Sequence, residues 1–343
     1  MKRSRILWIM PALLLILCAC SANEERPEAV LSADPLLSAA PEVTPTPEST
    51  PIPTPTPAPV DIYGVSVRWD AEEIDLHGIP IEDSGAALAA AIPTLPRLRR
   101  VDMTDCGLTN PELGGLQEAF PDIRFSWPVN IYTFRTTSDT DYFITNPDAG
   151  VELTGVQYGA DALQYCRDLI ALDLGHCHLY SAEFVEKMPH LRYLILVYNP
   201  IYDLSPLSTL KELEWLEIFG TDVWDLSPLL GCTALRDLNI CYIPASAEEI
   251  IGTLSQMPWL RRVWCTGTYL NSAQVDALRE ALPETEVWYL TGDESSGGTW
   301  RYDEDYYEMR DAFHMYYMDI TSDPVPRMSE DELAAVHEEF WGY

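Results

Sequence analysis

Through the middle of this chain, leucines return at a fixed interval. Leu169, Leu191, Leu213 and Leu235 stand 22 residues apart, and each opens the same phrase. The phrases are Leu169-x-x-Leu172-x-Leu174, Leu191-x-x-Leu194-x-Leu196, Leu213-x-x-Leu216-x-Ile218 and Leu235-x-x-Leu238-x-Ile240. Eight residues past each opening leucine come Cys177, Asn199, Thr221 and Ile243; ten past come Leu179, Ile201, Val223 and Ala245. Within the phrase, apolar and other residues alternate with the strand period of two, so each unit holds one short strand with positions 3 and 5 facing inward. One unit cannot bury its leucines alone. Stacked in parallel at ~4.8 Å, the units lay each leucine on its equivalent in the next.

The returns between strands differ. Asp203-Leu204-Ser205-Pro206-Leu207 recurs as Asp225-Leu226-Ser227-Pro228-Leu229, and its proline predicts a short turn. Ser246 with Glu249 spells a capping box opening a helix over 248–257, and 272–281 has helical spacing at Val275 and Leu278. The phase extends outward as Leu98-x-x-Val101-x-Met103, Phe120-x-x-Ile123-x-Phe125, Leu260-x-x-Val263-x-Cys265 and Leu282-x-x-Thr285-x-Val287. Further strands are expected at Ile74 and Phe143. About ten units are predicted over 62–292, with a distorted joint within 127–164.

The phrase L-x-x-L-x-L-x-x-N/C-x-L resembles the leucine-rich repeat, and the DLSPL returns resemble those of bacterial internalin-type proteins. The resemblance is tight over 169–245 and looser outside. It implies an α/β solenoid with a parallel sheet of short strands on the concave face, helices and turns on the convex face, and a binding role rather than catalysis.

Positions 2, 4 and 6 of each unit look outward from the sheet. They read Tyr193, Ile195 and Val197; then Trp215, Glu217 and Phe219; then Asp237, Asn239 and Cys241; then Arg262, Trp264 and Thr266. Tyr193, Ile195, Val197, Trp215 and Phe219 form an apolar, aromatic cluster edged by Asp173, Glu217 and Asp237. With Asn239 and Trp264 they make the candidate ligand-binding set, because displayed aromatics mark interface anchors. The competing expectations are that the chain's own tail covers the cluster, or that it has no role.

That tail, 293–343, opens with a polar Gly-Ser hinge at 292–298 and continues as helix. Tyr302, Tyr306, Met309, Phe313 and Tyr316 mark one helical face, and Ser329 with Glu332 opens a second helix to about residue 340. The tail caps the solenoid end or serves as a docking element.

The N-terminus adds an address. Lys2, Arg3 and Arg5 precede an apolar run at 6–17, too short to span a bilayer. Leu17-Cys18-Ala19-Cys20 resembles a bacterial lipobox, which implies a signal peptide over 1–19, lipidation of Cys20 and extracytoplasmic display at the cell membrane. An ordinary signal peptide or an uncleaved anchor is the alternative. Residues 20–61 read as a Pro/Thr-rich stalk, whose Thr-Pro pairs favour polyproline II. Losing three basic residues takes the formal charge from −33 to −36. That balance disfavours nucleic acid and favours cationic or neutral, aromatic-compatible partners, or else only keeps an exported protein soluble; the partner expected at the concave cluster is a protein, peptide or glycan.

The repeat register also places the cysteines. Cys106 and Cys177 fill the Asn/Cys place, Cys265 a core place, and Cys166 and Cys232 the last apolar place. The last two lie three layers apart, roughly 14 Å, too far for a disulfide, so buried thiols are expected. Cys241 is expected to face outward. No nucleophile elbow, P-loop, dinucleotide fingerprint or zinc spacing occurs. In His176-Cys177-His178 the register turns the thiol inward and the imidazoles outward, and Asp303, Glu304 and Asp305 read as a solvated acidic face. No metal or cofactor is implied. An envelope assembly protein is the second reading, and a hydrolase using residues 127–166 the third.

Overall fold

The computed structural model describes residues 57–145, 155–289 and 304–314; Cys20, the stalk, Tyr302, Tyr316 and the helix expected from Ser329 lie outside them. A hairpin of β1 (Val60–Ile62) and β2 (Val65–Val67) begins the described chain. Next come β3 (Glu73–Asp75), α1 (Ala86–Ala91), β4 (Arg100–Asp102), α2 (Asn110–Ala119) and β5 (Arg124–Ser126), whose strands form a three-stranded parallel sheet. A second hairpin, β6 (Pro128–Ile131) and β7 (Phe134–Thr137), interrupts the series. The series resumes with β8 (Tyr142–Ile144), α3 (Val156–Gly159), β9 (Ala171–Asp173), β10 (Tyr193–Ile195), β11 (Trp215–Glu217) and β12 (Asp237–Asn239). It ends with α4 (Ala247–Leu254), β13 (Arg262–Trp264), α5 (Ser272–Ala281), β14 (Glu286–Trp288) and α6 (Glu304–Ala312). β8 to β14 form a seven-stranded parallel sheet in chain order.

This is the leucine-rich-repeat solenoid. Leu172, Leu194, Leu216 and Leu238 are successive Cα partners, and all four are fully buried. Each such burial stabilises by about 1.5–3 kcal/mol, but only because the neighbouring unit supplies the other wall. The proline-containing returns are short 3₁₀ turns at Ser205–Thr209 and Ser227–Gly231. Asp203 and Asp225 start them by accepting from the Ser205 and Ser227 amides at 2.8 and 2.9 Å.

Asn199 shows what the Asn/Cys place does. Its Nδ2 donates to the carbonyls of Leu174 (2.8 Å) and Leu196 (3.0 Å), and its Oδ1 accepts from the Leu179 amide at 2.9 Å. One buried amide thus satisfies backbone groups that the corner of the coil leaves outside the sheet ladder. Cys177 fills the same place with a thiol against Thr145 (3.2 Å) and the Gly175 carbonyl (3.4 Å).

One residue before that place the chain turns through the left-handed region. Gly78, Asp105, His176, Tyr198, Gly220, Tyr242 and Gly267, at position 7 of their units, all have positive φ. Five of these amides, those of Gly78, His176, Tyr198, Gly220 and Tyr242, bond to the next layer: Tyr198 to the Phe219 carbonyl at 2.9 Å, Gly220 to that of Cys241 at 2.9 Å, Tyr242 to that of Thr266 at 3.0 Å. Glycine fits this corner freely, whereas other L-residues are held there at a cost of about 1–2 kcal/mol.

The expected joint within 127–164 is the β6–β7 hairpin, stitched to its surroundings. Trp127 is buried and its Nε1 donates to Asn110 Oδ1 at 2.9 Å. Arg124 pairs with Asp168 at 2.6 Å and Arg167 donates to the Pro121 carbonyl at 3.0 Å, bridging the interruption. A single apolar cluster runs from Ile62 to Phe313.

Four sequence expectations are corrected. Phe125 pairs with Val101, and Val287 with Val263, so both units are 24 residues long and Phe120 and Leu282 do not open them. A slip of two residues keeps every side chain on its own face, so alternation alone cannot detect it. Cys241 does not face outward to solvent but is fully buried. The helix expected over 248–257 is Ala247–Leu254, and its capping box is half-formed. Ser246 Oγ accepts from the Glu249 amide at 3.1 Å, but the Glu249 carboxylate instead accepts from the Leu226 amide (2.9 Å) and Thr253 (2.8 Å). Asp305 is no solvated acid: it is 4% exposed.

Candidate functional site

The columns on the strand face follow from the pairing. Position 2 reads Ala171, Tyr193, Trp215, Asp237, Arg262; position 4 reads Asp173, Ile195, Glu217, Asn239, Trp264. The candidate residues are therefore brought together, as the register requires. They are not all displayed. Tyr193, Trp215, Asp237, Asn239 and Trp264 are buried, while Ile195, Val197, Glu217 and Phe219 remain half-buried.

The cover is α6. Its Tyr306 and Met309, and Phe313 just past its end, are buried, and the Tyr306 ring lies 6.3 Å from that of Trp215, which itself lies 5.7 Å from Trp264. These three residues lie on the helical face the sequence marks; the charges around them are less legible. Asp305 pairs with Arg261 and, at 3.6 Å, with Arg236, which also reaches Glu308 at 3.4 Å. Below it, Arg236 and Arg192 both hold Glu214, each at 2.7 Å. Beyond the helix, His314 stacks on Tyr142 at 4.5 Å and meets Asp141 at 3.0 Å. The segment from Asp305 to His314 thus crosses the face from β13 to β8, near the strands' N-terminal ends.

Arg192, Arg236 and Arg261 all stand at position 1, one residue past the opening leucine. The signal was present: a basic column at one edge of the sheet, and acids at 304, 305 and 308 on the tail. Its meaning depended on the tail's path, which the repeat phase does not specify.

Buried charge concentrates at Asp237. It is 1% exposed and pairs at 3.1 Å with Arg262, equally buried, which also reaches Glu286 at 3.3 Å and lies over the Trp264 ring at 5.5 Å. Burial, only partly offset by Arg262 and reinforced by the neighbouring Asp305, pushes Asp237 up to about 7. Asp173 is also raised to about 7, by burial and by Glu217, against a bond from the Gly175 amide. Two raised carboxyls in a cleft can signal acid–base chemistry, but here each serves packing: Asp237 locks Arg262, and Asp173 caps a turn. His176 and His178 are exposed while Cys177 points into the core, so the three diverge.

Among the described residues no group of His, Cys, Asp and Glu is arranged to hold a metal ion, and no helix is long and apolar enough to cross a membrane.

No family model matches the sequence, and no curated protein matches it. Solved structures do. Internalin C2 of Listeria monocytogenes is similar at 17% identity and a TM-score of 0.32, over 58% of this chain and 73% of that one. An internalin (inlF) of the same organism gives 17% and 0.34, over 68% and 71%. A leucine-rich-repeat protein of Leptospira interrogans gives 16% and 0.33, over 58% and 50%. The fold assignment rests on the strand register above, not on these likenesses.

Proposed function

We propose that this chain is an exported, lipid-anchored leucine-rich-repeat recognition protein without catalytic activity, displayed outside the membrane. It binds a protein or peptide helix on the strand face, where its own α6 lies. One observation carries this reading: Tyr306, Met309 and Phe313 are buried against the sheet while Asp305 engages Arg236 and Arg261. A face that holds one amphipathic helix through apolar anchors and a flanking ion-pair cluster has the chemistry to hold another. The tethered helix acts at high effective concentration, so a partner must outcompete it, and half-buried Ile195, Val197, Glu217 and Phe219 offer a first foothold. The Lys/Arg-led apolar run and the cysteine at position 20 support export and anchoring.

The test releases the helix. In the full chain, Tyr306→Ala with Phe313→Ala should let a labelled synthetic peptide of residues 304–314 bind, while the unaltered chain excludes it. Failure of the peptide to bind the released chain would reject the strand face as a receptor. Separately, labelled palmitate should enter the chain and be lost in Cys20→Ala. A second reading, assembly through exchange of α6 between copies, is favoured by the same contacts. It predicts a dimer by light scattering that disappears in the double variant.

A further inference from the structure

We propose that the opposite edge of the sheet, at the C-terminal ends of β9 to β12, is a second binding surface that takes a basic peptide through cations stacked on Tyr198 and Tyr242. The first observation is conformational. Position 7 is left-handed in unit after unit, and glycine fills it at Gly78, Gly220 and Gly267. The fold asks for nothing larger, since Gly220 closes the corner with the same 2.9 Å bond to the next layer that Tyr198 makes. Tyr198 (φ 54°) and Tyr242 (φ 57°) nevertheless hold rings there, in a region tyrosine seldom adopts, and His176 (φ 60°) adds a third ring. Strain kept at equivalent points of a repeat, where relief needs one glycine, points to a use outside folding.

The second observation is how the rings lie. A Cβ at Gly220 would come within 2.9 Å of the Tyr198 ring, and one at Gly267 within 2.3 Å of the Tyr242 ring. Each tyrosine therefore lies over the glycine of the next unit, with main chain backing one side of the ring. The two tyrosine residues are still 51% and 46% exposed. Phe219, from position 6, fills the gap between them at 4.6 and 5.4 Å, and His176 continues the row at 4.7 Å from Tyr198. A parallel column at position 11 displays Tyr202 and Trp224 at 59% and 62% exposed.

Charge selects the occupant. Residues 193–210, 212–235 and 237–260 contain no lysine or arginine, while Asp203 and Asp222 are exposed beside these aromatics. The arginines at position 1 stand at the other end of the strands, six residues or roughly 20 Å of extended chain away. Ring faces carry a negative quadrupole, so the π row and the carboxylates attract the same sign of charge. A neutral sugar would use the rings alone and an anionic polymer would be repelled. Guanidinium and ammonium groups use both. The row stands apart from the contacts of α6, so its occupancy does not require that helix to leave.

The experiment compares the full chain with the double variant Tyr198→Gly, Tyr242→Gly, which has the same net charge. Nona-arginine is titrated into each by calorimetry in 0.15 M salt. Affinity should fall at least tenfold in the variant, with a thermal midpoint no lower than that of the parent, because glycine accepts this φ. Equal affinity in both proteins, or no saturable binding to the parent, would overturn the proposal. So would a neutral chito-oligosaccharide that binds the parent and not the variant while nona-arginine binds both alike; the row would then read glycans. Should the variant not fold, Tyr202→Ala with Trp224→Ala, both at exposed positions, must weaken nona-arginine binding at least threefold, and no change there also overturns the idea.

Discussion

Trp215 and Tyr306 meet at 6.3 Å between ring centroids, though 91 residues separate them in the chain. The contact joins the strand face to the tail and settles which half of the face is covered. Tyr306→Ala removes an aromatic anchor whose full core value would be about 3–5 kcal/mol. At this helix–sheet contact a loss of about 2–3 kcal/mol in the local opening energy is expected, or roughly a hundredfold faster amide exchange across 304–314. Tryptophan emission should shift to the red as Trp215 and Trp264 meet water. Unchanged exchange would show that the ring contact does not hold the helix.

Asn199→Ala is expected to destabilise the whole repeat unit by about 3 kcal/mol, read from chemical denaturation. It removes the bonds to the Leu174 and Leu196 carbonyls and the Leu179 amide, and buried backbone groups left alone cost about 1–3 kcal/mol each. A loss below 1 kcal/mol would mean that water takes over those bonds.

Stability should fall as pH rises toward neutrality. Asp237 and Asp173, ordinarily near 3.8, sit at about 7 in the folded chain, so between those values the native state binds protons that the unfolded state has released. The stabilisation is present at low pH and lost as pH climbs through about 7, at about 1.4 kcal/mol per pH unit for each carboxyl in that window. Melting temperatures from pH 5 to 8 should show the decline, and Asp237→Asn should flatten it. A variant with the parent's slope would place the titration elsewhere.

The described cysteines are all free and buried, and burial pushes Cys166 and Cys177 up to about 12 and Cys232 up to about 11. Iodoacetamide at pH 8.5 should leave Cys106, Cys166, Cys177, Cys232, Cys241 and Cys265 unmodified in the native chain and alkylate all six in guanidinium, as peptide mass analysis can show. Labelling of any of them in the native protein would contradict the packing around it.

The repeat phase carried most of the architecture because a column of leucines is a periodic fact. Leu194, Leu216 and Leu238 announce both their spacing and their side of the sheet. Phase fails where it is blind: Phe125 and Val287 slipped by two residues without changing face. It also fails where something from outside the repeat arrives. Nothing in the 22-residue pattern says that Trp215 and Trp264 lie beneath a helix, or that Cys241 is buried. The left-handed corner at position 7 shows in the sequence only where glycine fills it, at Gly78, Gly220 and Gly267, and Tyr198 and Tyr242 mask it, since the sequence shows the ring and not the φ it adopts.

A stack of repeats touches only its neighbours, and such a structure frays from its ends one layer at a time. α6 changes that topology, with Asp305 at Arg261 in one layer and His314 at Asp141 several layers earlier. A single rod laid across the coils, like a splint, makes the layers beneath it open together or not at all.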